Sequence, residues 1–496
     1  MAYDLKQLLV NAATIDELLS VKYQPQLGQK ENTDRAALKL AAWCRSASSG
    51  DWGLFFKRIG RDSLSIDDIL PRLADARHLP GTAAPTWFED SQWVYQALTH
   101  GADHHQPLAV SAAEPLPFEA LFLTVVTHAE AKMIGKTTQP ALSLFGDSAR
   151  IDLRHGLLKL LTSLYAPLLY SKFVAILKKG HPDGKLPPAT DAAGTDCIDQ
   201  LIKDLKANEF DSIFTEKPVL LRLTATIVRQ WIDTTAELVN RTHADVAQIK
   251  ALITQSAPSV KVQAIGGDLS DPHNFGHSVQ IITFEDQTKV VYKPKDLRLD
   301  VAWHDLIERF NASSPPVDLK PAKAIARPEY GWTEFIEHSS CVSTQDIEQF
   351  YRRSGAWLAV FHLFASTDMH FENIIAHAAH PVPIDLEMIL QASTPEAEQE
   401  TPETAALIAS NRAVINSVLM VGMLPSYAKS PNNKIFDAGG LNAVKGSAPV
   451  GVWKNPNTDA MRWMQVPNDA TETPNIPHIQ GQYAQLGDYL SAFFEG

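Results

Sequence analysis

The chain has 496 residues, which is too long for one small core and predicts roughly two to four domains. Its composition, 45% hydrophobic and 20% charged with 10 Trp and 20 Phe, is typical of a globular protein with well-filled cores. The net charge of −13 excludes a general nucleic-acid binder, because a nucleic-acid footprint is basic. A small basic groove for phosphates remains compatible with this charge.

The N-terminus and the cysteines predict a cytoplasmic protein. The first residues lack the charged and apolar regions of a signal peptide. Cys44, Cys197 and Cys341 are scattered and form no C-x-x-C pair, which fits a reducing compartment. The most apolar segment, Leu157 to Leu177, is interrupted by lysines and a proline, so we expect a buried helix pair and no membrane partner.

Residues 1–255 are predicted to be mostly helical. Apolar residues recur there at helical spacing, as in the segment Leu220 to Ile232. Loops rich in Pro, Gly and Ala separate these segments, and no internal repeat is present. Asp103, His104 and His105 are candidate metal ligands, but no further ligand lies at a suitable spacing, so a surface loop is the preferred interpretation.

From Val260 the pattern predicts strands. Val279 to Phe284 and Val290 to Tyr292 flank the polar residues 285–287, which indicates a hairpin. The preceding loop, Gly266 to Gly276, is rich in small residues and can bring backbone N–H groups to phosphate oxygens. Gly, Asp and Pro also simply mark turns, and the spacing is not that of a Walker A motif.

Lys293 is a candidate phosphate ligand at the end of the second strand. Pro294 cannot donate to the sheet, so the strand should stop at Lys293. Kinases hold the ATP phosphates with a lysine at this position, and Lys295 can share the role. The alternative is a solvated lysine on an edge strand. Glu308, in a predicted helix over 300–311, is a candidate ion-pair partner.

Three further elements are predicted before and around the most chemically informative segment. Thr333 to His338 reads as a strand that leads to a hinge between lobes, and Thr344 to about Ala365 as a helix. We expect Arg352 and Arg353 at the surface of that helix. A short hairpin is predicted over 374–384.

The segment from Asp368 to Glu387 has the residues that phosphoryl transfer requires. Asp368 can orient an attacking hydroxyl, and His370 can stabilise the transferring group. Asn373 lies five residues after Asp368, where a Mg²⁺ ligand belongs. Asp385 follows a short apolar run as a second ligand, and Glu387 is a third candidate on the same side of an extended chain. A single acid is usually a surface residue, but the whole set together with a strand-end lysine favours a kinase.

These residues resemble the dehydratase domain of class II lanthionine synthetases, the LanM family, more closely than protein kinases or phosphatidylinositol kinases. The resemblance covers about 260 to 390 and is thinner on both sides. The motifs that carry it are Asp271-Pro272-His273, Val291-Tyr292-Lys293-Pro294-Lys295, Tyr330-Gly331-Trp332, Tyr351-Arg352-Arg353-Ser354-Gly355, Thr367 to Ala376, and Pro381 to Glu387.

The resemblance implies an enzyme that uses ATP and Mg²⁺ to phosphorylate Ser and Thr of a ribosomally made precursor peptide. In that family the phosphate is then eliminated, and a C-terminal zinc cyclase adds cysteine thiols. The residues implied to act in phosphorylation are Lys293, Asp368, His370, Asn373, Asp385 and Glu387, with Lys295, Asp271 and His273 at the cofactor.

The implied fold is α+β, a lipid-kinase-like two-lobed core after a mostly helical region. We place the helical region at 1–255, the N-lobe at 256–342 and the C-lobe at 343–496.

Departures from the family narrow the expected activity. Lys295 replaces an arginine, which loses bidentate phosphate geometry but keeps the charge. The family's elimination chemistry needs an Arg followed six residues later by a Thr, and neither Arg412 nor Arg462 has one. No cysteine follows Cys341 to build a zinc cyclase.

We therefore expect a chain that is truncated before the elimination motif and the cyclase domain. It would phosphorylate without eliminating or cyclising, and a separate elimination or cyclase protein is a candidate partner. The alternative is a non-catalytic remnant that binds a precursor peptide or a partner chain.

Overall fold

A computed structural model describes residues 4–25, 30–101, 114–180, 194–253, 261–267, 271–391, 405–415, 417–429, 435–437, 439–442, 449–467 and 473–496. The α-helices in these ranges are α1 (Leu5–Asn11), α2 (Ile15–Leu19), α3 (Lys30–Ser48), α4 (Trp52–Arg61), α5 (Ile66–Ala74), α6 (Thr86–His100), α7 (Leu123–Ile134), α8 (Gln139–Ser143), α9 (Asp147–Gly180), α10 (Asp196–Asp204), α11 (Phe210–Glu216), α12 (Pro218–Ile253), α13 (Arg298–Ala312), α14 (Thr344–Leu363), α15 (Ala405–Ile415) and α16 (Leu490–Glu495).

The strands are mostly in the second half of the chain, so the protein is a mixed α+β structure with a helical N-terminal region, as predicted. They are β1 (Tyr23–Pro25), β2 (Ala76–His78), β3 (Val262–Gly266), β4 (Gln280–Phe284), β5 (Lys289–Lys293), β6 (Ala324–Arg327), β7 (Tyr330–Glu334), β8 (Ile374–His377), β9 (His380–Pro383), β10 (Tyr427–Lys429), β11 (Ile435–Asp437), β12 (Val450–Lys454), β13 (Arg462–Val466), β14 (His478–Ile479) and β15 (Gln482–Tyr483).

The chain forms two compact units. The first consists of Met1–Thr138, Leu153–Leu238 and Asn455–Arg462, and the second of Gln139–Asp152, Val239–Lys454 and Trp463–Gly496. Helix α12 ends at Ile253, and the next described element, β3, begins at Val262.

Amphipathic helices build a compact core in the first unit. In α5, Ser65 caps the N-terminus by accepting from the Asp68 amide, and Ile69 and Leu73 are buried one turn apart. They pack with α3 and α4 side chains. The fully or almost fully buried members of this cluster are Leu18, Tyr23, Ala36, Leu40, Cys44, Phe55, Ile59, Ile69, Leu73 and Ala76.

The most apolar segment forms one continuous helix, α9, rather than the predicted pair. Pro167 is accommodated within it. By length and composition α9 is the one helix of the described residues that could cross a membrane. Seven of its side chains, at helical spacing, have no exposed surface: Leu157, Leu158, Leu161, Tyr165, Leu169, Phe173 and Leu177. This burial inside the protein is what a core helix requires.

The second unit contains a five-stranded antiparallel sheet in the order β3-β4-β5-β7-β6. The predicted β4–β5 hairpin is confirmed, with Gln287 at φ +68° in its turn. Strand β5 ends at Lys293, as the following proline predicts. Lys293 pairs with Gly331, where a Cβ atom would lie 2.5 Å from the Ile325 carbonyl oxygen. Only glycine fits this approach.

A buried carboxylate anchors the end of α12 to one face of this sheet. Asp245, 4% exposed, accepts hydrogen bonds from Arg327 at 2.7 Å, Tyr330 at 2.8 Å and Trp332 at 3.0 Å. Arg241, one helical turn earlier, donates to the Tyr292 hydroxyl at 2.6 Å. Tyr292 and Lys293 are consecutive in β5 and point to opposite faces. The helix therefore braces the strand that carries the candidate phosphate ligand.

The remainder of the second unit packs around α14. Trp303, Trp357 and Phe361 stack with ring centroids 5.0 to 6.1 Å apart. The indole of Trp357 donates to the Pro381 carbonyl at 2.9 Å, which fixes β9 against the helix. These contacts hold the β8–β9 hairpin, predicted over 374–384, on a rigid support.

Two sequence predictions in this region need correction. The strand predicted over Thr333 to His338 runs instead from Tyr330 to Glu334. Arg352 and Arg353 are not simply surface residues, because their side chains are only 28% and 12% exposed and Arg353 donates to the Ala379 carbonyl. The helix predicted from Thr344 to about Ala365 is confirmed as Thr344–Leu363.

Candidate functional site

The β8–β9 hairpin brings together the two halves of the candidate motif. Ile374 pairs with Pro383, and the Ile384 amide donates to the Asn373 carbonyl at 2.9 Å. Asn373 and Asp385 are twelve positions apart in sequence but lie at the paired ends of two short strands. The hairpin predicted over 374–384 is present, with Asn373 just before its first strand and Asp385 shortly after its second.

Lys293 connects the five-stranded sheet to this hairpin. Its side chain is buried, and its ammonium donates to the Ile384 carbonyl. Burial lowers the pKa of Lys293, and the nearby carboxylates of Asp385 and Asp300 partly oppose that change. The interpretation of Lys293 as a solvated edge lysine is therefore wrong.

Lys295 holds both downstream carboxylates. Its Nζ lies 2.8 Å from Asp385 Oδ1 and 2.9 Å from Glu387 Oε2. Burial disfavours the charged ammonium, but the two carboxylates outweigh it and raise the pKa of Lys295. Burial likewise acts to raise the pKa of Asp385, and the two lysines outweigh it and lower that pKa. These shifts favour the charged forms of Lys295 and Asp385.

Asp300 is a member of this cluster that the sequence did not reveal. It lies in the first turn of α13, is 8% exposed, and burial raises its pKa against the pull of Lys293 and Lys295. Glu308, the residue expected to pair with the lysine, is exposed near the far end of the helix. The sequence signal available for Asp300 was an acidic residue in the first helical turn after the Lys-Pro-Lys segment.

Asp368, His370 and Asn373 form a second, adjacent group in one tight loop. Asp368 has φ +69° and a half-exposed side chain, and its Oδ1 lies 3.5 Å from His370 Nε2. The Asn373 amide donates to the Asp368 carbonyl at 2.8 Å, and the Glu372 amide donates to His370 Nδ1 at 3.2 Å. Local hydrogen bonds thus fix the loop while the Asp368 carboxylate faces solvent.

A distant segment supports this loop from behind. The Met369 amide donates to the Val421 carbonyl at 2.8 Å, and His370 forms a backbone bridge with Gly439. At Gly440 a Cβ atom would lie 2.3 Å from the Met369 carbonyl oxygen. Buried Asn475 donates to the Gly440 carbonyl at 3.0 Å. The Gly439–Gly440 pair was the sequence signal for this close approach, and it was missed.

Asp271 and His273 lie in the turn between β3 and β4. His273 and His277 exchange two backbone hydrogen bonds of 2.8 Å, and Asn274 and Phe275 have positive φ. Within the described part of the chain, no hydrogen bond or ion pair joins Asp271 or His273 to the lysine–carboxylate cluster. Their assignment to the cofactor remains a prediction from the sequence.

The predicted metal ligands provide oxygen donors of the kind that Mg²⁺ prefers. Asn373 uses Nδ2 toward the Asp368 carbonyl, which leaves Oδ1 for a cation. Asp385 and Glu387 add two carboxylates that already converge on one cation, Lys295. Among the residues with described positions, no three His, Cys, Asp or Glu side chains form a metal cluster by themselves. The set fits Mg²⁺ only with the amide of Asn373 included.

The candidate metal ligands Asp103, His104 and His105 lie outside the described residues.

Comparison with known proteins gives two matches. Residues 218–496, more than half of the chain, match a family model described as a domain of unknown function, DUF4135. The chain is also 24% identical over 266 residues to the lacticin 481/lactococcin biosynthesis protein LcnDR2 of Lactococcus lactis subsp. lactis. This match covers 50% of the chain and 27% of that relative, so the chain spans about a quarter of the relative's length.

Proposed function

The chain belongs to the DUF4135 family and is a relative of LanM-type lanthionine synthetases, and from this premise we propose that it is a peptide kinase of lanthipeptide biosynthesis. In this proposal it transfers the γ-phosphoryl group of ATP to Ser and Thr of a ribosomally made precursor peptide. The observation that carries the proposal is the convergence of Lys293, Lys295, Asp385 and Glu387 beside Asn373. Similarity to LcnDR2, a lacticin 481/lactococcin biosynthesis protein, supports the biosynthetic context.

The roles of the residues follow from their positions. Asn373, Asp385 and Glu387 would hold Mg²⁺, which supplies charge neutralisation for the phosphates when bound. Lys293 and Lys295 would bind phosphate oxygens. We assign the five-stranded sheet to an N-lobe (256–342) and the β8–β9 region to a C-lobe (343–496) of a lipid-kinase-like core.

Transfer itself would use Asp368. Its half-exposed carboxylate can accept the hydrogen bond of a Ser or Thr hydroxyl and then take its proton. A bond forms between the hydroxyl oxygen and the γ-phosphorus while the bond to the ADP oxygen breaks. His370, 3.5 Å from Asp368, would orient that carboxylate. The activity would take place in the cytoplasm, where ATP is supplied.

The test is incubation of the chain with Mg²⁺, ATP and the precursor peptide encoded beside its gene, followed by mass spectrometry. We expect ATP-dependent phosphate addition, and Asp385→Asn should reduce its rate on the order of a hundredfold or more. Asp305→Asn removes an exposed carboxylate from α13 and should leave the rate unchanged.

Other outcomes separate the alternatives. No phosphate addition to the cognate peptide, together with measurable peptide binding, would reject the kinase and favour a non-catalytic binding module. We expect phosphopeptide to accumulate, because no Arg with a Thr six residues later follows Glu387. Water loss from the peptide with this chain alone would contradict that expectation.

A further inference from the structure

The ammonium of Lys295 stands where the carboxylates of Asp385 and Glu387 converge. Its Nζ donates to one carboxylate at 2.8 Å and to the other at 2.9 Å, so both carboxylates accept from the same cation. The Glu387 amide also donates to Asp385 Oδ1 at 3.2 Å, which fixes the carboxylate that accepts from Lys295. A divalent cation between these two side chains would need the same oxygens.

The charges of these groups decide how strongly Lys295 competes with a divalent cation for the carboxylate oxygens. The positive charge of Lys295 lies between the two carboxylates and offsets part of the negative charge that they would offer a dication. The Lys295 side chain is only 28% exposed and that of Asp385 32% exposed, so solvent screens this pair less than a surface pair. Glu387, at 59% exposed, is the more solvent-exposed partner.

An arriving triphosphate changes this balance. Its oxygens offer the Lys295 ammonium a new anionic partner of higher charge. Once the ammonium turns to the phosphates, Asp385 and Glu387 face a dication with their full negative charge. Metal and nucleotide would then strengthen each other's binding, as linkage requires.

We propose that Lys295 is a gating counter-ion, which holds Asp385 and Glu387 together without metal and keeps their affinity for divalent cations low until a nucleotide binds. This inference rests on the proposed function, since it uses the same carboxylates as Mg²⁺ ligands. It assigns to Lys295 a positioning role in addition to phosphate binding.

The test measures metal affinity without nucleotide or peptide. Mn²⁺ is titrated into the whole chain, and the free aqueous ion is followed by electron paramagnetic resonance. Lys295→Met removes the ammonium but keeps the apolar stem, and should raise Mn²⁺ affinity about tenfold, since a unit charge a few ångströms away is removed. Lys295→Arg keeps the charge and should bind Mn²⁺ as weakly as the wild type.

Two further variants test whether the gain in Mn²⁺ affinity is specific to Lys295 and depends on Asp385. Lys289→Met removes a positive charge from the same strand, at an exposed position over the Phe335 ring, and should leave Mn²⁺ affinity unchanged. The double variant Lys295→Met/Asp385→Asn should lose the gained affinity. Equal Mn²⁺ affinity in Lys295→Met and wild type, with unchanged circular dichroism, would overturn the proposal.

Nucleotide provides a second readout. In the wild type, a non-hydrolysable ATP analogue should strengthen Mn²⁺ binding, and in Lys295→Met this coupling should shrink. The same coupling in both proteins would contradict the gate. The Mn²⁺ titration contains no peptide, so its result is independent of the phosphorylation assay. Tighter Mn²⁺ binding by Lys295→Met, together with no peptide phosphorylation by the wild type, would reject the proposed function and keep the gate. Peptide phosphorylation by the wild type, together with equal Mn²⁺ affinity in Lys295→Met and wild type, would keep the proposed function and reject the gate.

Discussion

Asp368 combines a left-handed backbone with a carboxylate that is half exposed. Asn tolerates this backbone region better than most residues, so Asp368→Asn removes the charge without adding backbone strain. We expect peptide phosphorylation to slow by about 10²- to 10⁴-fold, the usual contribution of a positioned base. Nucleotide affinity should change little, because Lys293, Lys295 and Asp385 keep their contacts. Phosphorylation rate and nucleotide affinity are measured separately.

A control for this prediction lies in the same loop. Glu372→Gln removes another exposed carboxylate, 4.0 Å from His370, and should retain most of the transfer rate. If Asp368→Asn weakened nucleotide binding as much as it slowed transfer, Asp368 would be a cofactor ligand rather than a residue that orients the hydroxyl.

The site residues differ in how far the sequence revealed them. Asp368, Asn373 and Asp385 are readable because their spacing within one short segment is itself a chemical pattern. Asp300 carries no such pattern, since its closeness to Lys293 depends on where α13 begins and packs. Residues brought together by tertiary packing, such as Asn475 behind Gly440, leave only weak local signals.

At the scale of elements, the anchor of α12 on the sheet predicts a measurable loss of stability. Asp245→Asn leaves Arg327 without its counter-charge and weakens the bonds to Tyr330 and Trp332, at a cost of about 2–4 kcal/mol. The thermal midpoint should fall, and amides of β5 and β7 should exchange with deuterium faster.

The exposed substitution Asp305→Asn is the matched control and should change stability by no more than about 0.5 kcal/mol. An Asp245→Asn protein with wild-type exchange in β5 and β7 would show that the helix does not brace the sheet.

Elements with strong local signals were predicted well, and elements whose limits depend on packing were not. The β4–β5 hairpin has alternating β-formers and a polar turn, so its position is local information. The strand over 333–338 was misplaced because Tyr330 and Trp332 bind Asp245, a tertiary contact that begins the strand earlier. On α13, Leu306 and Phe310 are 39% exposed, whereas Trp303 and Ile307 are buried in the core.

At the scale of the whole molecule, a partly buried ion pair predicts loss of stability in acid. In the first unit Glu17 accepts from Arg222 at 2.5 Å and from Trp87 at 2.8 Å. Burial acts to raise the pKa of Glu17, but these bonds outweigh it and lower the pKa below its ordinary value of 4.5. The pair therefore stabilises the fold above pH 4.5, and this stability is lost as the pH falls through the lower folded pKa.

Thermal midpoints measured across a pH series test whether this ion pair loses its stabilising effect in acid. Glu17→Gln should lower the midpoint at neutral pH, and its difference from the wild type should narrow below pH 4.5. Asp16→Asn, at an exposed position of the same helix, should keep the wild-type acid dependence. A constant difference between Glu17→Gln and wild type at all pH values would contradict the ion-pair explanation.

The cluster around Lys295 has a further consequence for the life of the protein in the cell. Because Lys295 gives both Asp385 and Glu387 a counter-charge without a metal ion, we expect the chain to complete its fold with no metal present. Many metalloproteins instead remain unfolded until their ion arrives. Here the supply of magnesium and nucleotide would govern when the protein works, while its assembly after synthesis would proceed independently of both.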